Sequence, residues 1–286
     1  MASKEPTAAI SMRGVSKSYD GRPVLHELDL EVKRGEVYAL LGPNGAGKTT
    51  TVEILEGLRR PDSGQVSVLG DIPWGAHASW RDRIGVVLQE SSDASDLSVY
   101  EAVAHHRIYY SRPRAVDDVL ASVGLAEASR SRVGVLSGGQ RRRLDVALAL
   151  VGSPDLVFLD EPTTGFDPAA RRDFWSLVLE MRDQGTTVLL TTHYMEEAER
   201  LSDRVGVLLR GRLIAQGTTH ELGERFGRES AVSWTDGDGA HSVRTPQPEQ
   251  HVAALQSRGR QVAGLTITRP TLEDVYLSLI ETKVSP

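Results

Sequence analysis

The chain has no cysteine. That excludes a disulfide framework and thiolate-bound zinc, and it is compatible with a reducing compartment. It also lacks a surplus of positive charge: 33 Lys and Arg against 39 Asp and Glu give a formal −6, so there is no net pull toward nucleic acid or anionic lipid. Any contact with a polyanion must be local. Long apolar runs are missing too. Stretches such as Val146 to Val151 fall far short of the roughly 20 residues that span a bilayer. The polar opening from Met1 to Ile10 shows no signal-peptide apolar region, so the chain is expected on the cytoplasmic side. None of the eight histidines forms a His-Glu-x-x-His pattern. Adjacent His105 and His106 point about 100° apart on a helix and make a poor chelating pair.

What is present is enough sequence, 286 residues, for about two domains or one large domain with an appendage. Residues 10 to 33 alternate apolar and polar around an Asp20-Gly21 turn, which predicts an antiparallel hairpin. Glu36 to Leu41 reads as a buried strand, followed by a glycine-rich loop and a helix from Lys48 to about Leu58. Gln65 to Leu69 and Ile84 to Leu88 are short strand candidates, and residues 98 to 128 have helical spacing broken at Ser111-Arg112-Pro113. Strands at 156 to 159, 187 to 191 and 205 to 209, separated by helices near 168 to 183 and 194 to 201, predict a parallel sheet with crossover helices. Beyond Gly217 the composition turns polar, with helical runs near 248 to 258 and 271 to 281. The expected division is 1–217, with a helical insertion at about 90–153, and a small α+β appendage at 218–286.

Three segments carry chemistry. Gly42-Pro43-Asn44-Gly45-Ala46-Gly47-Lys48-Thr49 fits G-x-x-x-x-G-K-[ST] between a strand and a helix. Its glycines let successive N–H groups turn inward, the helix adds its positive end, and Lys48 places a point charge on the terminal phosphates. Thr49 offers a hydroxyl to Mg²⁺, and Thr50 completes the nucleotide-contacting stretch. Leu156 to Leu159 leads into Asp160 and Glu161, a metal-side carboxylate and a base or water-positioning carboxylate. In an extended chain these neighbours diverge, although Glu161 could instead serve only the turn at Pro162. Ser137-Gly138-Gly139-Gln140 opens a strongly helical run. A helix cap would explain the serine but not both glycines, which suit exposed N–H groups contacting a second phosphate. Arg141-Arg142-Arg143 lacks interleaved aromatics and reads as a solvated or interface face rather than a nucleic-acid site.

Taken together, the phosphate loop, Leu136 to Gln140 and Leu156 to Glu161 resemble the ATP-binding cassette (ABC) ATPases. The resemblance covers roughly residues 10 to 217, and Arg269 to Tyr276 is similar to the C-terminal extension of multidrug and antibiotic-resistance type exporter ATPases of the ABC-2 kind. It implies an α/β P-loop NTPase (RecA-like) core with a mainly parallel sheet, an N-terminal antiparallel part, a helical insertion and an α+β appendage. It further implies that Gln89 links the metal site to a membrane partner, that Asp167 lies in the loop after the carboxylates, that His193 is the switch histidine, and that Tyr19 stacks on adenine. Phe166 stands where the family usually has leucine. The expected activity is hydrolysis of ATP with Mg²⁺ by a homodimer, each site built from Gly42 to Thr49 of one copy and Ser137 to Gln140 of the other. That cycle would drive efflux of a drug-like, antibiotic or lipid substrate through a separate integral-membrane permease. The alternative, a soluble ABC protein clamping nucleic acid, usually shows two fused cassettes or long coiled coils, and neither is seen here.

Overall fold

The computed structural model describes residues 8–87, 96–226, 229–257, 263–268 and 271–284. The chain divides into two compact units, residues 1–214 and 215–286.

In the first unit β1 (Ala8–Tyr19) and β2 (Arg22–Lys33) pair antiparallel, closing at Tyr19 opposite Arg22. The turn residues Asp20 and Gly21 both take positive φ, 50° and 75°, the twist that matches a two-residue hairpin. Next come β3 (Val37–Leu41) and α1 (Lys48–Leu55), and then β4 (Ser63–Val68), which pairs antiparallel with the free side of β1. The helix ends three residues before the expected Leu58 because Gly57 turns left-handed at φ 80°. There the Gly57 N–H bonds Ile54 O at 3.2 Å and the Leu58 N–H bonds Glu53 O at 2.9 Å, a Schellman closure of the last carbonyls.

The short α2 (Ala78–Arg81) and β5 (Ile84–Val87) lead to the helical insertion, α3 (Val99–His106), α4 (Val116–Ser122) and α5 (Gly138–Leu150). The chain then returns through β6 (Leu156–Asp160), α6 (Pro168–Asp183), β7 (Thr187–Thr192), α7 (Met195–Leu201), β8 (Arg204–Leu209) and β9 (Arg212–Gly217). The second sheet has the order β5-β6-β7-β3-β8-β9, and β5 with β6, β6 with β7, β7 with β3 and β3 with β8 all pair parallel. Its central strands β3 and β7 are buried at every residue, as strands covered on both faces must be. Val52, Ile54 and Leu55 of α1 fill one core with Ile10, Leu28 and Val32 of the antiparallel sheet and Leu40, Phe158 and Leu189 of the parallel one.

In the second unit α8 (Thr219–Phe226) precedes β10 (Ser230–Asp236), β11 (Gly239–Thr245), α9 (Pro248–Ser257), β12 (Ala263–Thr268) and α10 (Leu272–Val284). The sheet order is β11-β10-β12, with Val232, Trp234 and Leu255 as its core. Within the segment that resembles exporter extensions, Thr271 and Asp274 form a capping box: Asp274 N–H to Thr271 Oγ1 at 3.2 Å, and Thr271 N–H to Asp274 Oδ2 at 2.9 Å. Arg269 and Pro270 lie outside the described residues.

The turn between β8 and β9 clamps the loop between β3 and α1. Gly211 donates its N–H to Ala46 O and accepts from the His26 N–H, each at 2.9 Å. Its φ is +72°, and an added Cβ would stand 2.1 Å from Val24 O. Gly211→Ala is therefore expected to cost about 1–3 kcal/mol and to lower the melting temperature by several degrees. Thermal unfolding that leaves it unchanged would remove this clamp from the account.

Candidate functional site

The loop after β3 is held from below. An added Cβ on Gly42 would meet Leu208 O at 2.4 Å and one on Gly47 would meet Leu25 Cδ2 at 2.7 Å, whereas one on Gly45 would meet nothing within 4 Å. Gly42 and Gly47 thus let the loop pack on β8 and β2, while Gly45 at φ 78° lies on its open side. Lys48, the first residue of α1, is buried, and its Nζ donates to Gly42 O at 2.7 Å and Pro43 O at 3.4 Å. Burial lowers its pKa, and Glu161 and Asp160 oppose that shift. Thr49 is exposed and Thr50 half-buried, whereas Thr51 is buried and returns its hydroxyl to Gly47 O at 2.8 Å.

Parallel register places three strand ends beside this loop: Leu41 opposite Thr192, and Asp160 opposite Thr191. The Thr191 hydroxyl donates to Asp160 Oδ1. Glu161 departs from the extended chain assumed above. It takes φ 43°, and its N–H is held by Thr191 O at 3.1 Å and Thr191 Oγ1 at 3.2 Å. A non-glycine residue in this region is strained. The kink, rather than strand alternation, separates Glu161 from Asp160. It leaves Glu161 Oε1 3.9 Å from Lys48 Nζ and 3.3 Å from His193 Nδ1.

Ser137 and Gln140 form a capping box on α5, with the Gln140 N–H to Ser137 Oγ at 3.2 Å and the Ser137 N–H to Gln140 Oε1 at 3.0 Å. Gly138 has open space where a Cβ would stand, and Gly139 only touches Ala170 Cβ at 3.4 Å. Nothing in the described chain requires glycine at 138. Asp167 caps α6 by accepting from Ala169 and Ala170 N–H at 2.9 and 2.8 Å. Phe166 meets Phe174 edge to face at 5.9 Å. Tyr19 lies under two cations, with Lys17 Nζ at 5.5 Å and the Arg59 guanidinium at 5.3 Å from its ring. Gln89 lies outside the described residues.

Residues 25–164 match the ABC transporter family. A daunorubicin resistance ATP-binding protein of Streptomyces coeruleorubidus is 39% identical, the match covering 95% of each chain. The chain belongs to the ABC transporter family. A Nod factor export ATP-binding protein of Burkholderia orbicola is 45% identical across 75% of this chain and 72% of its own. A solved ATP-binding subunit of an ABC transporter superposes with a TM-score of 0.70 at 28% identity, covering 77% of this chain and 93% of that one. The protein is thus the ATP-binding subunit of a transporter, an ABC ATPase coupled to transport. Among its described residues no helix is long and apolar enough to cross a membrane.

The cassette also uses residues that sequence reasoning misplaced or passed over. The arginine run is only partly the solvated or interface face expected: Arg141 and Arg143 are half-exposed, Arg142 is buried, and all three donate within the chain. Arg141 donates to Val133 O and Arg143 to Asp173. Arg142 is buried and donates to Pro162 O at 3.0 Å and Asp160 O at 3.1 Å, the two carbonyls that bracket Glu161. Glu56, which caps the end of α1, was not singled out. Burial, with Asp160 and Glu53 nearby, pushes its carboxyl from the ordinary 4.5 up to about 8.

Glu56 gives a pH signature. The folded chain holds a proton there that the unfolded chain releases above its ordinary pKa, so stability falls as pH rises from about 4.5 toward about 8. Glu56→Gln is expected to remove that part of the fall and to melt higher than wild type at pH 8, with the difference shrinking toward pH 5. Melting curves at pH 5, 6.5 and 8 check this, and an equal offset at all three contradicts it.

Proposed function

We propose that this chain hydrolyses ATP as a homodimer and thereby powers efflux through a separate membrane permease, to which it docks from the cytoplasmic side. The observation that carries the reading is the convergence on Glu161 of Lys48 from the phosphate loop and His193 from the end of β7. Gly42 to Thr50 would cradle the phosphates on the N–H groups at the start of α1, with Tyr19 presenting its ring to adenine. Glu161 would take a proton from the attacking water or orient it, and His193 would hold Glu161 and the transferred phosphate together.

The residues also fit a divalent cation. Two carboxylates and the Thr49 hydroxyl beside a polyphosphate make a hard, oxygen-only donor set, and among the described residues no three His, Cys, Asp or Glu side chains converge as a cage of their own. Mg²⁺ is commonly held by one or two protein oxygens plus phosphates and water. Thr49 and Asp160 would hold it, with Gln89 as the third expected contact, and it would offset charge developing on the phosphate oxygens.

Gly138 supports the dimer. A glycine with open space beside it, at the exposed and capped start of a long helix, suits the approach of phosphate from a second copy, with Asp167 in the neighbouring loop. The daunorubicin resistance relative, which covers 95% of both chains, supports export of a drug-like, antibiotic or lipid substrate as the direction of work.

Glu161→Gln is expected to retain ATP binding, to lower turnover by about 10²-fold or more, and to accumulate as an ATP-dependent dimer on size exclusion. Gly138→Val should abolish that dimer without unfolding the chain. Near-normal turnover of Glu161→Gln would sink the assignment.

A further inference from the structure

Elements on both sides of the site meet at Glu197 of α7, a carboxyl with no solvent exposure. From α6, Trp175 Nε1–H donates to Glu197 Oε1 at 3.4 Å. The hydroxyls of Thr192, the last residue of β7, and of Thr163, two residues beyond Glu161, both face the carboxyl, and Arg171 acts on it by charge. Thr192 Oγ1 also accepts the Tyr194 N–H at 3.0 Å. That bond closes the turn carrying His193, whose Nδ1 is 3.3 Å from Glu161 Oε1. A hydroxyl has one proton and accepts on its lone pairs. With its proton drawn to Glu197, Thr192 is left as an acceptor for Tyr194, and the turn is fixed from beneath. In the loop after Glu161, Arg142 donates to the Pro162 carbonyl at 3.0 Å.

The same spot holds spare bonding capacity. Glu197 Oε2, Thr163 Oγ1 and Arg171 Nε are buried and complete no hydrogen bond of good geometry. Such atoms are uncommon in folded chains, and one of them belongs to the Glu197 carboxyl itself.

We propose that Glu197 is a positioning residue for ATP hydrolysis, holding the His193 turn through Thr192. The proposal rests on the hydrolytic roles given above to Glu161 and His193. It concerns a side chain that touches neither nucleotide nor metal.

The test is steady-state ATPase kinetics of the full chain with a fluorescent-nucleotide binding assay. Glu197→Gln, which keeps a side-chain oxygen for Trp175 and Thr192, is expected to stay within about threefold of wild-type kcat. Glu197→Leu and Thr192→Val should lose about 30-fold or more in kcat, with KM and nucleotide affinity within about twofold. In a His193→Ala background, Thr192→Val should add less than about twofold, because both act through the same imidazole. If Glu197→Leu does not fold, Thr192→Val, close in shape to the native side chain, decides alone. Wild-type turnover by Thr192→Val beside a dead His193→Ala overturns the role of Glu197 only. So does a loss in KM rather than kcat, or a loss that multiplies with His193→Ala. Wild-type turnover by His193→Ala overturns the reading of the site and this proposal with it.

Discussion

The site depends on the register of three parallel strands. Leu41 stands opposite Thr192, and Asp160 opposite Thr191, so the ends of β3, β7 and β6 reach one edge of the sheet together. Chain leaving that edge becomes the phosphate loop, the His193 turn and the Glu161 kink respectively. Ligands of open parallel sheets bind at the carboxyl ends of strands for this reason. A slip of one residue would reverse every side chain of a strand whose two faces are both buried. It would also move Thr191 away from the Glu161 amide that it holds, so the same register that packs the core sets the geometry of the carboxylates.

Bringing three strand ends together concentrates charge where water is scarce. Lys48 loses solvation on burial, and that loss outweighs the attraction of Glu161 and Asp160 in setting its pKa. Its ammonium is kept by the Gly42 and Pro43 carbonyls, which are fixed in turn because the loop rests on Leu208 and Leu25. Asp160 and Glu161 put more carboxylate than ammonium charge at this edge. A site of that composition favours a ligand that arrives with its own cation, and a metal–polyphosphate pair meets that condition better than a bare anion.

Much of this was legible in the sequence because it rests on local rules. The hairpin followed from Asp20-Gly21, the parallel core from alternating strands and helices, and the loop between β3 and α1 from its glycine and lysine spacing. The end of α1 was legible as well, since Gly57 is the residue a Schellman closure needs, but apolar spacing through Leu58 pointed past it. Ser137 and Gln140 had the spacing of a capping box, which explains both side chains and leaves Gly138 as the residue that calls for another cause. The positive φ at Glu161, the burial of Arg142 and the enclosure of Glu197 were not legible. Each is set by what a distant segment offers: a threonine on β7, carbonyls at the end of β6 and just beyond it, and a tryptophan on α6. Charge in a helical run reads as solvated until the loop that accepts it is known.

Arg142 shows how the two halves of the proposed site could sense each other. It lies four residues into the helix from Gly138, a rise of about 6 Å, so anything that displaces the start of α5 moves the guanidinium with it. That group is planar, with donors in a fixed fork, and two of them are committed to the carbonyls of Asp160 and Pro162. The Asp160–Glu161 and Pro162–Thr163 peptide units are therefore tied to the helix. Glu161 is already strained at φ 43° and sits near the edge of its allowed region, where a small shift of its neighbours changes its energy steeply. In the dimer proposed above, contact made by a second copy at Gly138 would in this way be felt at Glu161. A single chain holds Glu161 in place, and its partner would decide how well.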